Sequence, residues 1–359
     1  MAKFLEVKKG NKTIPFWLKV VVGFGLIVTA VFGYIAFEAY QNIYKPNVYI
    51  QQKDVDYICI PTGSTIDDVT RILYEKGVII NRSSFEWLSK KRKYDQKIYP
   101  GRYKITNGMS NNRLVEILRT GTQTPVKLVF NPMRGKERFA GLIGRQLEAD
   151  SVVLLEMLNN PDIAAKYGFS LEAFPSMFVP NTYEFFWNTS AEKFLDKMKK
   201  EYDRFWNDSR KAKANALGLS PAEVVTLSSI VEEETVKSSE KPRIAGVYLN
   251  RIKKGMMLQA DPTVKFAVGD FTLRRILNKH LTKDSPYNTY KYAGLPPGPI
   301  NFPSPATVNA VLNAEKHSYI YFCAREDFSG YSNFASTLAQ HNKNADAYRR
   351  ALSKRGIFR

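Results

Sequence analysis

Three consecutive glutamates, Glu232, Glu233 and Glu234, precede Thr235 about two-thirds of the way along the chain. The helix that would carry them has a well-marked start. Ser220 stands at the N-cap, Pro221 at the first helical position and Glu223 at the third, the pattern of a capping box. From there the helix runs through Val224, Val225, Leu227, Ile230 and Val231. At about 100° per residue, with Leu227 as origin, Val224, Ile230 and Val231 fall within about 60° and Glu234 within about 20° of one direction. Glu232 and Glu233 point off to either side. A carboxyl on an apolar stripe resists ionisation, so its pKa rises. An acid still protonated near neutral pH is what general-acid catalysis needs. The plainer alternative ends the helix near residue 233 and leaves Glu234 in solvent, or pairs it with Lys237 or Arg243.

Groups that suit sugar hydroxyls and N-acetyl amides follow downstream. A helix is expected over 243–251, then come Leu258-Gln259-Ala260-Asp261-Pro262-Thr263 and Tyr287-Asn288-Thr289-Tyr290. The Pro/Gly loop Gly294-Leu295-Pro296-Pro297-Gly298-Pro299 and the segment Leu338-Ala339-Gln340-His341-Asn342-Lys343 complete the set. Each piece alone reads equally well as loop architecture. Cys59, Cys323 and the histidines His280, His317 and His341 have no zinc-site spacing, so neither a metal nor a cofactor is expected. The two cysteines allow one disulfide at most.

Positioning these residues calls for a mixed α+β fold in two parts. A small unit over 48–125 begins with a strand at Val55–Ile60, halted by Pro61-Thr62-Gly63. Ser64 is placed to cap a helix with Asp67 at its third position and Ile66, Val69, Ile72 and Leu73 as its apolar stripe. A second helix is expected over 83–93 and a strand over 101–105, giving a βααβ order. Ser110–Leu118 reads as a helix. The larger domain, 126–359, opens with a strand at Val126–Phe130 and continues with helices over 154–158, 191–206 and 222–236. Its aromatic segment at 180–187 reads as a turn or strand, with a strand at 319–324 and a last helix near 345–353.

Lys and Arg total 53 against 34 Asp and Glu, a formal charge of +19, while 44% hydrophobic residues exclude a disordered chain. Such charge suggests nucleic acid, but the basic residues are dispersed and no DNA-binding motif is present. The N-terminus points elsewhere. Val20–Phe37 holds 18 residues without a charge, nearly enough to cross a ~30 Å hydrocarbon layer. Phe16, Trp17 and Leu18 extend the run, and Lys3, Lys8, Lys9, Lys12 and Lys19 precede or flank it against a single Glu6. The positive-inside rule then gives a cytoplasmic tail (1–19), a single-pass anchor (20–37) and an exported remainder, which removes nucleic acid as a partner. Phe37-Glu38-Ala39-Tyr40 is a poor cleavage site, so the anchor is expected to stay attached.

At these motifs the sequence resembles the endolytic murein transglycosylases, the YceG-like proteins of bacterial inner membranes. The likeness rests on Ser229-Ile230-Val231-Glu232-Glu233-Glu234-Thr235, Leu258-Gln259-Ala260-Asp261-Pro262-Thr263, Tyr287-Asn288-Thr289-Tyr290 with Gly294-Leu295-Pro296-Pro297-Gly298, and Leu338–Lys343, in that order and spacing. It implies a LysM-like small module, a transglycosylase catalytic domain, and Glu234 as the catalytic glutamate. It further implies peptidoglycan glycan strands as substrate, cell-wall synthases (penicillin-binding proteins) as partners, and a catalytic domain outside the inner membrane. The chemistry implied is non-hydrolytic cleavage of the MurNAc-β-1,4-GlcNAc bond within a strand. Glu234 would donate a proton to the glycosidic oxygen, and its carboxylate would then accept one from the C6 hydroxyl as a 1,6-anhydro ring closes. Gln259, Asp261, Thr263, Tyr287, Asn288 and Asn342 are the candidates for positioning substrate. Two positions depart from the family pattern: Asn181 stands where an Asp is more usual, and Glu233 where a Lys often lies. The rival readings are a muramidase with Asp261 as second carboxylate, a glycan-binding scaffold without catalysis, and a membrane-tethered nucleic-acid binder.

Overall fold

The computed structural model describes residues 15–51, 54–273 and 275–356. Most of the expected cytoplasmic tail therefore lies outside the described residues. The chain divides into two compact units, Met1–Thr124 and Pro125–Arg359.

The first unit begins with α1 (Phe16–Tyr44), a helix of 29 residues, or about 43 Å at 1.5 Å per residue. Among the described residues it is the one helix long and apolar enough by itself to cross a membrane, and none of its residues is buried by protein. It is longer than the charge-free run that predicts it, continuing through Glu38 to Tyr44. Then follow β1 (Val55–Ile60), α2 (Ile66–Glu75), α3 (Arg82–Lys91), β2 (Gly101–Thr106) and α4 (Asn111–Thr120). β1 and β2 pair antiparallel, with Val55 opposite Thr106 and Ile60 opposite Gly101. Ile58, Ile60, Val69, Leu73, Phe85, Leu88, Tyr103, Leu114 and Leu118 fill the core between the sheet and the helices. The cap of α2 lies one residue later than the sequence predicts. Ser64 Oγ donates to the Pro61 carbonyl inside the turn (2.8 Å), and Thr65 with Asp68 forms the capping box. Four asparagines tie the end of α1 and the segment after it to the rest of this unit. Asn111 Nδ2 donates to the Asn42 carbonyl (2.9 Å), while Asn47 bonds Asn111 Oδ1 (2.7 Å) and both backbone groups of Asn81 (2.9 and 2.7 Å).

The second unit comprises β3 (Val126–Phe130), α5 (Lys136–Gln146), α6 (Ser151–Leu158), α7 (Pro161–Lys166), β4 (Asn181–Phe185), α8 (Ala191–Phe205), α9 (Asp208–Leu217), α10 (Pro221–Glu234), α11 (Lys241–Lys253), α12 (Asp261–Val268), α13 (Asn278–Leu281), α14 (Pro305–Leu312), β5 (Tyr321–Ala324), β6 (Ser332–Ala335) and α15 (Leu338–Lys354). β3 pairs with β4 and β5 with β6, both antiparallel. The aromatic segment near 181 is thus strand β4, and its first residue Asn181 is exposed. The core is rich in aromatic rings, with Phe139 against Phe130, Phe178 and Phe302 at centroid separations near 5 Å for the first two and 4.9 Å for the last. α10 runs through the middle of this unit, in contact with α9, α11, α12 and α14. Neither Cys59 nor Cys323 forms a disulfide.

Candidate active site

α10 starts where the sequence places it. Ser220 Oγ accepts from the Glu223 amide (3.3 Å), and Glu223 returns the bond to the Ser220 amide (2.8 Å). Every residue from Val224 to Val231 is buried, so the helix is enclosed on all sides rather than along one stripe. Its hydroxyls are satisfied within the helix: Thr226 donates to the Ala222 carbonyl, Ser228 to Val224 and Ser229 to Thr226, at 2.9, 2.6 and 2.7 Å. A helix so buried forces its last-turn carboxylates to find partners or protons, because little water reaches them.

The three glutamates find different ones. Glu232 accepts from Ser304 Oγ (2.9 Å) and Thr307 Oγ1 at the start of α14, and pairs with the Lys241 ammonium (3.2 Å). Burial opposes its ionisation, but the bonds from Thr307, Lys241 and Ser304 outweigh that and hold its pKa below the usual carboxylate value. Glu233 is clasped by the Arg134 guanidinium, with one bond of 2.9 Å, and by Asn301 Nδ2 (2.8 Å). The charge that an acid introduces at this position is thus matched by a cation from the turn before α5.

Glu234 ends α10 and receives a single tyrosine hydroxyl, with Tyr248 Oη donating to Oε1 at 2.6 Å. Desolvation pushes its pKa up to about 7; the Tyr248 bond pulls down, Asp261 pushes up, and the positive charges of Arg251 and Lys265 pull down. Its place at the negative end of the helix dipole adds to the preference for the neutral acid. The side chain keeps an open edge, since the residue is only half-buried. The two basic residues that were alternatives for pairing it are engaged elsewhere: Lys237 lies over the Tyr331 ring (5.0 Å) and Arg243 pairs with Glu315 (2.9 Å).

The second wall comes from α12 and the loop before it. Arg251 of α11 donates to the Leu258 carbonyl (2.6 Å) and the Ile320 carbonyl (2.7 Å), binding that loop and β5 to the helix. Gln259 is exposed and adopts a left-handed backbone (φ 49), held there by its amide bond to the Thr289 carbonyl (3.1 Å). A non-glycine residue in that region is a mild strain that often marks functional loops. Asp261, exposed in the first turn of α12, accepts from Tyr290 Oη (2.7 Å). Two carboxyls near enough to feel each other's charge therefore border the site, each with one oxygen held by a tyrosine.

Thr263 and Asn288 are placed differently. Thr263 Oγ1 lies between the Ala260 carbonyl (2.7 Å) and Thr289 Oγ1 (2.8 Å), and the residue is buried. Buried Asn288 donates to the Leu281 and Lys283 carbonyls (2.9 and 2.7 Å) and accepts from the Tyr290 amide (3.0 Å). Their polar atoms staple the loops that carry Asp261 and Tyr290. Tyr287 turns the other way, its ring against Phe266 (4.5 Å) and on the wall of a groove of about 380 Å³ that Glu234 does not line. Asn342 is exposed on α15, beside His341, whose ring stacks on Tyr321 (5.2 Å) and feels the charge of Arg251.

Sequence reasoning did not single out Tyr248, Arg251, Lys265 or Tyr290 as site residues. A signal for the first two existed: Tyr248 and Arg251 are three apart on one helix, hence on one face. No helix was expected over 261–268; α12 carries Pro262 in its first turn, where proline needs no amide partner.

The YceG-like family model matches residues 58–347. An endolytic murein transglycosylase of Bacillus subtilis (strain 168) is 30% identical over 310 residues, covering 81% of this chain and 84% of the relative. One from Streptococcus pneumoniae (strain ATCC BAA-255 / R6) is 26% identical over 355 residues, covering 89% of this chain, and the chain spans 63% of that relative's length. The crystal structure of a YceG-like protein from Listeria monocytogenes aligns with a TM-score of 0.55 at 30% identity, covering 81% of this chain and 99% of that one. The match over most of the chain, and these relatives, place it in the YceG-like family of endolytic murein transglycosylases.

Proposed function

We propose that this chain is a membrane-anchored lytic transglycosylase that cleaves the MurNAc-β-1,4-GlcNAc bond inside peptidoglycan strands and leaves 1,6-anhydroMurNAc ends. Glu234 acts first as acid and then as base. The carrying observation is that this carboxyl has a pKa of about 7 and has one oxygen held by Tyr248 (2.6 Å), which leaves Oε2 to carry the proton. At neutral pH a large fraction is protonated and donates to the glycosidic oxygen as positive charge develops on the sugar. The carboxylate so formed is stabilised by the Tyr248 hydroxyl and by Arg251 and Lys265. It then takes the proton of the C6 hydroxyl, which closes the anhydro ring in place of water.

In this reading Asp261 lends negative charge to the oxocarbenium-like state, and Gln259 and Asn342 offer exposed amides to sugar substituents. Thr263 and Asn288 act on substrate through the loops they hold. The part of the first unit that follows α1 serves as a LysM-like module, α1 is an uncleaved anchor with the N-terminus cytoplasmic, and everything after α1 lies outside the inner membrane. Nascent strands made by neighbouring penicillin-binding proteins are the natural substrate, and cleavage ends their elongation.

Mass spectrometry of purified strands digested by the chain and by its Glu234→Gln variant tests this. Anhydro ends from the parent, absent with the variant, are expected; reducing ends would replace the reading by hydrolysis. That second reading has its own observation, since Asp261 is near enough to raise the Glu234 pKa and so is a candidate second carboxylate.

A further inference from the structure

The ~380 Å³ groove that Tyr287 borders is bounded by Gly135 and Lys136 at the start of α5, by Leu171, Glu172 and Pro175, and by Phe266 and Phe271. It shares α12 with the candidate active site. Asp261 and Lys265 lie on the face that meets Glu234, whereas Phe266 is about 140° round the helix from Asp261. Its walls are mainly apolar, and Phe271 holds a ring 41% exposed at its edge, between the Arg134 guanidinium (5.3 Å) and Phe266 (6.3 Å). A groove that recognised sugar rings would present many hydrogen-bonding groups. This one presents few for its apolar area: Lys136, Glu137 and Glu172 with charge, and Asn159, Asn301 and Tyr287 without.

Lys136 is the informative group. Its ammonium is half-buried and donates to the Leu158 carbonyl (2.9 Å), Asn159 Oδ1 (3.3 Å) and the Leu171 carbonyl (3.5 Å), all uncharged. Among the described residues it makes no ion pair, although Glu137 and the exposed Glu172 stand within electrostatic range on the groove's rim. A half-buried cation in contact with no carboxylate favours an occupant that brings one to it, and the rim glutamates favour an occupant that also carries an amine.

We propose that this groove receives the peptide stem of the murein strand whose glycan is held at Glu234. This rests on the proposed transglycosylase reading and adds to it a second recognition element. A murein stem is a short chain of small, methyl-bearing residues with free carboxylates and, where not cross-linked, an amine. That chemistry matches an apolar trough with one cation and flanking anions. The reach also fits: three to five extended residues span about 10–18 Å, enough to pass round a helix ~10–12 Å across. The methyl groups pack on Phe266, Phe271 and Tyr287, and a stem carboxylate meets Lys136.

The test compares strands with intact stems and the same strands stripped of stems by an amidase, using the full chain in detergent and counting anhydro ends. We expect kcat/KM to be about tenfold higher on stemmed strands. In Phe271→Ala and in Lys136→Met that ratio falls toward one. Phe271 is exposed, so its variant keeps the test valid where Lys136→Met loses its fold. Equal cleavage of both substrates by the parent chain overturns the proposal. So does a parallel loss on both substrates in Phe271→Ala, which would make the groove a glycan subsite or a structural element. Binding of both strand types to the Glu234→Gln chain reads the groove without chemistry. A stem preference in binding that Phe271→Ala in the same background removes upholds the groove even if no anhydro ends appear, in which case only the transglycosylase reading fails; no preference, or one that Phe271→Ala leaves intact, overturns it.

Discussion

The last turn of α10 presents two regions of opposite character. On the side of α14 and Arg134, Glu232 and Glu233 are saturated with cations and hydroxyls. On the side of α12, Glu234 has one tyrosine hydroxyl, a carboxylate neighbour and an open edge. The same residue type thus has its pKa held down at Glu232 and pushed up to about 7 at Glu234, two positions later. Partner supply decides which, because burial acts on all three. The lesson is that a carboxyl's pKa is raised as much by withholding partners as by burying the group.

Substitutions break the comparison most sharply at Glu234. Glu234→Gln should lower the rate of anhydro-end formation by about a thousandfold, within the usual range for a lost general acid, measured by product counting at pH 6. Its effect on stability should be the reverse. Glu234 binds its proton more tightly folded than unfolded, so it contributes stability below its unfolded pKa that is lost as pH rises toward about 7. The variant should therefore exceed the parent above pH 7 by on the order of 2 kcal/mol and match it near pH 4, read from urea melts. A constant difference across pH would break the comparison.

Glu232→Gln should do the opposite. It strands the buried Lys241 ammonium, at a cost of about 3 kcal/mol in the same melts, while the rate per folded molecule stays within a few-fold. A loss of rate comparable to that of Glu234→Gln would mean that the two regions are not separate. Tyr248→Phe removes the donor that favours the Glu234 carboxylate. The alkaline limb of kcat/KM should move to higher pH, and kcat should fall about tenfold because the intermediate carboxylate loses a partner. Asp261→Asn is the smallest and has the opposite sign. Removing that negative charge should move the limb to lower pH by under about one unit, with anhydro products retained. Abolition of activity in this variant would favour the hydrolytic reading.

The helical wheel separates Glu234 from Glu232 and Glu233 without any structure, because the capping box at Ser220 fixes the phase of the helix. It does not give the reason, since α10 is buried all round and the contrast lies in the partners from α11, α12 and α14. Those partners lie 9 to 75 residues away in sequence, beyond the reach of local patterns. The shift of the α2 cap from Ser64 to Thr65 has a local cause: two adjacent hydroxyls both suit a cap, and the Pro61 turn took the first. The small unit's strand–helix–helix–strand order was readable because each element shows a clean period and a turn signal. Thr263 and Asn288 share motifs with Asp261 and Tyr287, so one sequence cannot distinguish residues that hold a loop from residues that the loop presents.

α1 continues about 10 Å past Phe37, the end of its apolar run, and the asparagine bonds of Asn42, Asn47 and Asn111 fasten this end of it to the rest of the first unit. With α1 in a bilayer, that join acts as a post instead of a leash. The first unit is held at one height above the lipid and turns only as the helix turns. A module tethered in this way samples a thin layer parallel to the bilayer instead of a sphere around its anchor.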